Sequence, residues 1–140
     1  LENAEFVRYG VMHRNSFLDS PRVLNGDFSL RENPNIFFAG QITGVEGYME
    51  SAASGIMAGK NAVLRTNEKD TLVLDDCTMI GALSRYISDG SVKNFQPMGA
   101  NFGVLPPIEP KIRDKRERYM ALAQRSLENI EEVINDENYY

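Results

Sequence analysis

Residues 36–59 constrain the fold of this chain more than any other stretch. Ile36-Phe37-Phe38-Ala39-Gly40 is a short apolar run between Asn33-Pro34-Asn35 and a series of glycines. A run bounded in this way has the form of a buried strand in a parallel sheet. Gly40-Gln41-Ile42-Thr43-Gly44-Val45-Glu46-Gly47 follows, and the spacing then predicts a helix from Tyr48 to Leu64. Tyr48, Ala52, Gly55, Ile56, Gly59 and Val63 recur at intervals of three and four. Glycine costs a helix roughly 1 kcal/mol relative to alanine. Gly55 and Gly59 therefore point to close packing against a sheet, a neighbouring helix or a ligand.

Strand, glycine turn and helix start together make a physical site. Glycines let a backbone approach a ligand closely. The first turn of a helix offers unpaired N–H groups and the positive end of the dipole. Such a place suits a phosphate or the electron-rich carbonyl edge of a flavin. A tight β–α connection packed by small residues would look the same, and the glycine turn alone does not separate the two.

Other elements frame this unit. Phe6, Val7, Tyr9 and Val11 predict a strand over 4–12, and Phe28 to Leu30 a short one after the Asn25-Gly26-Asp27 turn. Ile80, Leu83, Tyr86 and Ile87 predict a helix from Thr78 to Ser88, stopped by Asp89-Gly90. Asn94 to Pro110 holds four prolines and two glycines and reads as a long irregular segment. Ile112, Tyr119, Leu122, Leu127, Ile130 and Ile134 predict a final helix over Lys111–Asn135. These elements divide the chain into 1–65, 66–110 and 111–140.

Composition removes several function classes. One cysteine, Cys77, cannot form an internal disulfide, which fits a reducing cytoplasm. One histidine and one cysteine are too few for the usual zinc sites. No apolar run approaches the ~18 residues of a membrane span, so no membrane partner is expected. The formal net charge of −5 argues against a free-standing nucleic-acid binder while leaving room for a local basic patch. The chain starts at Leu1 without an initiator Met and is expected to be part of something longer.

Phe37-Phe38-Ala39-Gly40-Gln41-Ile42 followed by Gly44-Val45-Glu46-Gly47-Tyr48-Met49-Glu50-Ser51-Ala52-Ala53-Ser54-Gly55 resembles the carboxy-terminal FAD-contact motif of the glucose-inhibited-division (Gid) superfamily. Within it, Gly44-Val45-Glu46-Gly47-Tyr48-Met49-Glu50 is similar to the folate- and FAD-dependent tRNA uracil-5-methyltransferase branch. The wobble-uridine branch typically has Gly-Thr-Thr-Gly-Tyr-Glu-Glu here. Arg8-Tyr9-Gly10-Val11-Met12-His13-Arg14-Asn15, Leu83-Ser84-Arg85-Tyr86-Ile87 and Phe95-Gln96-Pro97-Met98-Gly99-Ala100-Asn101-Phe102-Gly103-Val104-Leu105-Pro106-Pro107 resemble the same branch. Together they cover the chain to about Arg125.

The resemblance implies an α/β fold, the carboxy-terminal part of an FAD-binding Rossmann-like domain followed by closing helices. It implies FAD as cofactor, methylenetetrahydrofolate and NAD(P)H as co-substrates, and tRNA as partner, with 5-methyluridine in the T loop as product. The G-x-G-x-x-G fingerprint of such domains is absent. The family's catalytic cysteines lie upstream of the matching region, so no catalytic residue is assigned and the piece alone is expected to be inactive. Its missing amino-terminal half is an expected partner, and a homodimer an alternative one. A wobble-uridine flavoprotein and a non-catalytic tRNA-binding domain are the competing readings.

Individual residues follow from the same match. Gly40, Gln41, Ile42, Thr43, Gly44, Val45, Glu46, Gly47 and Tyr48 are the expected cofactor contacts, Tyr48 as core or ring-adjacent packing. His13, Arg14 and Asn15 are expected at the folate or flavin, and Asn101 and Phe102 on a wall of the folate or tRNA cleft. Glu46 and Glu50, four apart, are expected to share a helix face. Cys77 is read as the neighbour of a helix cap, although a helix start can lower a thiol pKa. Lys111, Arg113, Lys115, Arg116 and Arg118 crowd the start of the last helix, where cations oppose the dipole. They are either a solvated face or a contact for tRNA phosphate.

Overall fold

The structure is a computed structural model that describes Glu5 and residues 16–136. The strand expected over 4–12 and the candidate residues His13, Arg14 and Asn15 lie outside the described residues. α1 (Ser20–Val23) is a single turn started by Pro21. It leads into the Asn25-Gly26-Asp27 turn, whose arms meet in an isolated antiparallel bridge of Leu24 with Leu30, and a second bridge of Ser29 with Phe37 spans the Asn33-Pro34-Asn35 turn.

The expected strands at 28–30 and 36–40 are therefore corrected. Leu30 N–H donates to the Ile36 carbonyl at 2.8 Å and Phe38 N–H to the Phe28 carbonyl at 3.0 Å. These bonds close a compact antiparallel turn in place of a parallel strand. Ile36 accordingly is exposed, while Phe37 and Phe38 are half-buried.

A short 3₁₀ turn (Gly40–Thr43) then leads into β1 (Val45–Glu46) and α2 (Tyr48–Thr66). α3 (Met79–Ser88) begins where Thr78 caps it, its hydroxyl accepting from Gly81 N–H at 3.1 Å. β2 (Met98–Gly99) lies in the proline-rich segment and pairs parallel with β1, Val45 opposite Met98 and Glu46 opposite Gly99. α4 (Lys115–Ile134) starts four residues later than its apolar spacing predicts. Asp114 fixes that start by accepting from Glu117 N–H at 2.8 Å. The described chain is thus a mixed helical fold with a small parallel sheet.

The core is built on α3. Leu83 and Ile87 are fully buried and meet Leu24, Phe28, Val45, Ala58 and Phe95. Ile80 and Tyr86 pack on the same cluster, as their spacing with Leu83 and Ile87 predicts. A second cluster joins Ala82 of α3 to Leu105 and Leu122 and holds α4. Burying side chains of this size contributes roughly 1.5–3 kcal/mol each.

α2 is inverted relative to its predicted packing. Ser54, Ala58, Asn61 and Leu64 point inward. The predicted stripe faces solvent, with Tyr48 94%, Ile56 71% and Val63 60% exposed. A Cβ added at Gly55 or Gly59 would meet nothing within 4 Å, so neither packs closely on the described residues. Tyr48, Met49, Ile56 and Val63 give this helix an open apolar surface.

On the buried polar side of α2, Asn61 is fully paired, while the buried Ser51 hydroxyl has no partner among the described residues. The Asn61 amide donates to the carbonyls of Asp27 at 3.1 Å and Leu72 at 2.8 Å, and its oxygen accepts from Leu72 N–H at 2.7 Å. An unpaired buried amide would cost several kcal/mol, whereas this one staples residue 72 to α2. Asp27 accepts from the Ser29 backbone at 3.0 Å, from Thr71 Oγ1 at 2.8 Å and from Arg65 at 3.4 Å. Burial alone would raise the Asp27 carboxyl, but the bonds from Ser29 and Thr71 and the Arg65 charge hold it below its ordinary value.

Candidate cofactor-binding site

The glycine turn is held in place from both sides. Gly40 N–H donates to Ser54 Oγ at 2.8 Å, and the Thr43 hydroxyl donates back to the Gly40 carbonyl at 2.7 Å. Gly44 has φ +85, and a Cβ there would fall inside the Phe95 ring. An L side chain is strained at that φ, so the position demands glycine twice over, for its backbone and for its neighbour. Phe95 is fixed in turn against Tyr86, ring centroids 5.5 Å apart. Met98 N–H donates to the Gly44 carbonyl at 2.8 Å, which starts the β1–β2 pairing.

The nine expected contact residues divide by burial. Thr43, Gly44 and Val45 are buried and act as scaffold, and Gly40 is half-buried. Gln41 and Ile42 before this scaffold, and Glu46, Gly47 and Tyr48 after it, are exposed. Tyr48 is therefore not core packing. Glu46 sits on β1 and Glu50 on α2, so the two share no helix face.

Glu50 does something the sequence reading did not assign. Its carboxylate accepts from Ala100 N–H at 2.8 Å, tying the first turn of α2 to the loop after β2. With the strand pairing, that bond places Asn101 on the same side of the molecule as the glycine turn. The Asn101 amide donates to the Gly99 carbonyl at 3.1 Å and accepts from Gly103 N–H at 3.0 Å, which shapes the loop. Phe102 turns the other way and stacks on Tyr119 of α4, centroids 4.3 Å apart.

The helix starts differ. α3 and α4 carry side-chain caps from Thr78 and Asp114. α2 starts at Gly47, which has no side chain to cap with, and no other side chain caps it. Its first internal bond is Ser51 N–H to the Gly47 carbonyl at 3.0 Å. The amides of Tyr48, Met49 and Glu50 thus lack a side-chain cap beside exposed Ile42, Gly47 and Tyr48, and the Glu50 carboxylate packs against Gly47 at the same end. An acceptor-rich ligand edge fits such a terminus.

Cys77 stands apart from this region. It precedes the Thr78 cap of α3, as the sequence reading placed it, but its thiol is not activated there. Burial and then the Asp75 carboxylate push the thiol up from its ordinary value. Among the described residues no cluster of His, Cys, Asp and Glu is placed to hold a metal ion. No helix among them is long and apolar enough to cross a membrane.

Turn, uncapped helix start and tethered loop are brought together in a mixed fold of helices and a small parallel sheet, consistent with the α/β class. The family model for glucose inhibited division protein A matches residues 1–70, and the chain belongs to that family. It is 60% identical over 136 residues to a protein of Streptococcus agalactiae serotype Ia, methylenetetrahydrofolate–tRNA-(uracil-5-)-methyltransferase TrmFO. Proteins of the same name from Acetivibrio thermocellus and Halalkalibacterium halodurans are 56% and 53% identical. Each match covers 96% of this chain and 31% of the relative's length.

Proposed function

We propose that this chain is the flavin-contacting part of a methylenetetrahydrofolate- and FAD-dependent tRNA methyltransferase that forms 5-methyluridine in the T loop. The observation that carries the reading is the uncapped start of α2 directly behind the Gly44–Gly47 turn. The similarity to TrmFO proteins over 96% of the chain supports the substrate class. The unit would be the carboxy-terminal part of a Rossmann-like FAD-binding domain, acting in the cytoplasm with the rest of a longer polypeptide.

The residues present fit the flavin. Amides of Tyr48, Met49 and Glu50 would donate to its carbonyl edge, and Gln41, Ile42, Glu46 and Gly47 would line the approach. Tyr48, open to solvent here, would lie along the ring. Asn101, held beside this turn by Glu50 and β2, would face the folate or the uracil, with His13, Arg14 and Asn15 from the preceding segment. When bound, FAD supplies reducing equivalents taken from NAD(P)H to the one-carbon unit of methylenetetrahydrofolate. The chain's own contribution is to position these groups; burial and then Asp75 push its one thiol up from its ordinary value, away from nucleophile activation.

The test places this chain within a protein of the relatives' full length and measures bound flavin and methyl transfer to unmodified tRNA. Gly47 has φ +103, so Gly47→Val forces the turn to move. The expected result is loss of most bound flavin with tRNA binding retained. Full flavin content in Gly47→Val would remove the turn from the site. Failure of the parent protein to bind flavin at all would overturn the reading.

A further inference from the structure

The fold explains only part of the basic start of α4: Arg118 donates to the Ile112 and Arg113 carbonyls at 3.2 and 3.4 Å, while the Lys111, Arg113 and Arg116 side chains have no such role among the described residues. Lys115, Arg116 and Arg118 lie in its first turn, and Lys111 and Arg113 just before it. Cations at a helix amino-terminus are unfavourable by roughly 0.3–1 kcal/mol each. The acidic cap role is already filled by Asp114. Lys111, Arg113, Lys115 and Arg116 are exposed, and no described carboxylate forms an ion pair with any of the five. The far half of α4 carries Glu128, Glu131, Glu132 and Asp136. The helix is thus electrically polarised against its own dipole, in a chain of net charge −5.

A cavity opens at this basic end. It has a volume of about 500 Å³ and is walled by Phe102, Pro106, Ile108, Tyr119 and Leu122. That volume lies within the ~300–1,000 Å³ typical of small-ligand sites. Lys111 and Arg118 stand at its edge. Lys115 Nζ and the Arg118 guanidinium lie 5.5 and 5.7 Å from the Tyr119 ring centroid. The walls are rigid: Arg125 clamps the loop to α4 through the Pro106 carbonyl at 2.7 Å and the Pro107 carbonyl at 3.2 Å. Apolar and aromatic walls with Lys111 and Arg118 at the edge, and Glu109 as the one lining carboxylate, match one ligand chemistry, an unstacked nucleobase whose flanking phosphates reach the basic start of α4 beside the cavity.

We propose that this cavity is a second RNA-binding site, in which one unpaired nucleotide inserts against Phe102, Tyr119 and the prolines while Lys111, Arg113 and Arg116 hold adjacent phosphates. The proposal rests on the reading that the partner is tRNA, and deepens it by assigning a surface away from the glycine turn. The acidic far half of α4 sets the direction, repelling the RNA backbone from that end. Phe102 then serves RNA on this side of the loop, while Asn101 serves the glycine-turn side.

The experiment titrates this chain with a fluorescently labelled tRNA T-arm hairpin and with a perfect duplex of equal length, at several salt concentrations. The hairpin is expected to bind the more tightly. In K111A/R113A/R116A, hairpin affinity is expected to fall at least tenfold. The slope of log K against log salt should drop by about 2 to 3, as for three lost phosphate contacts. Tyr119→Leu keeps an apolar wall and is expected to abolish the hairpin preference while leaving the salt slope unchanged. Helicity by circular dichroism confirms that each variant is folded. No binding by the parent chain, or equal binding by parent and triple variant, would overturn the proposal. Flavin content in the Gly47→Val test is independent of both, so either reading can fail while the other stands.

Discussion

α2 and α3 are neighbouring helices that use their apolar residues in opposite ways. α3 turns its apolar stripe inward, and Leu83 and Ile87 sit at the centre of the main core. α2 packs on the core through Ser54, Ala58, Asn61 and Leu64, and leaves Tyr48, Met49, Ile56 and Val63 in solvent. α3 is capped by Thr78, and α2 has no side-chain cap. One helix is thus capped and buried along its apolar stripe within the described residues, and the other packs only through its small and polar side. Hydrophobic periodicity marks a face that some partner covers, and it carries no information about which partner. Interior packing on a small-residue face with a satisfied amide is the alternative that α2 adopts.

The sharpest test of this contrast is truncation in α3. Ile87→Ala removes methyl groups from a fully buried position and is expected to cost about 2–5 kcal/mol, read from the midpoint of urea unfolding. Asn61→Ala on α2 should come close to it, although the residue is polar. The change strands the Leu72 N–H and two carbonyls, and a loss of about 1–3 kcal/mol is expected. An Asn61→Ala protein with parental stability would mean that α2 does not pack through its polar face.

Acid titration probes the same side. The Asp27 carboxyl is raised by burial and lowered more strongly by its bonds from Ser29 and Thr71 and by Arg65, with a net downward shift. A group depressed in the folded state adds stability that is fully present above its unfolded value. That stability is lost as pH falls through its folded value. Melting temperature should therefore decline below the ordinary carboxylate range, and Asp27→Asn should flatten this decline while lowering stability at neutral pH. An unchanged acid profile in Asp27→Asn would show that the staple between the turn and α2 does not form.

α3 was legible in the sequence because its apolar spacing, its cap and its Asp89-Gly90 stop agree with one another. The glycine turn was legible because three glycines in eight residues between an apolar run and a helix need a conformational reason. The strand expected at 36–40 was not to be found, since a short apolar run fits a buried strand and a bridged turn equally well until its pairing partner is known. β1 and β2 left no local signal, being two residues each and far apart in the sequence. Glu50 looked like a solvated acid, because its partner is a backbone amide fifty positions away. Asn61 had a trace: Ser54, Ala58, Asn61 and Leu64 form a second stripe at helical spacing, polar enough to pass for the solvent side.

The smallest expected effect is the most informative about α2. Ile56 is a large β-branched residue in the middle of the helix, and in a chain packed as predicted its loss would resemble that of Ile87. Its side chain is exposed, so Ile56→Ser should change unfolding free energy by no more than about 0.5 kcal/mol, as at an ordinary surface position. The polar substitution should also reduce any self-association of the apolar face. Destabilisation of several kcal/mol, independent of protein concentration, would mean that the Tyr48–Val63 face is buried within this chain in solution. The inversion of α2 would then be wrong, and so would the uncapped helix start on which the cofactor site depends. Destabilisation that disappears on dilution would instead locate the missing partner in a second copy of the chain, leaving the inward face of α2 as described.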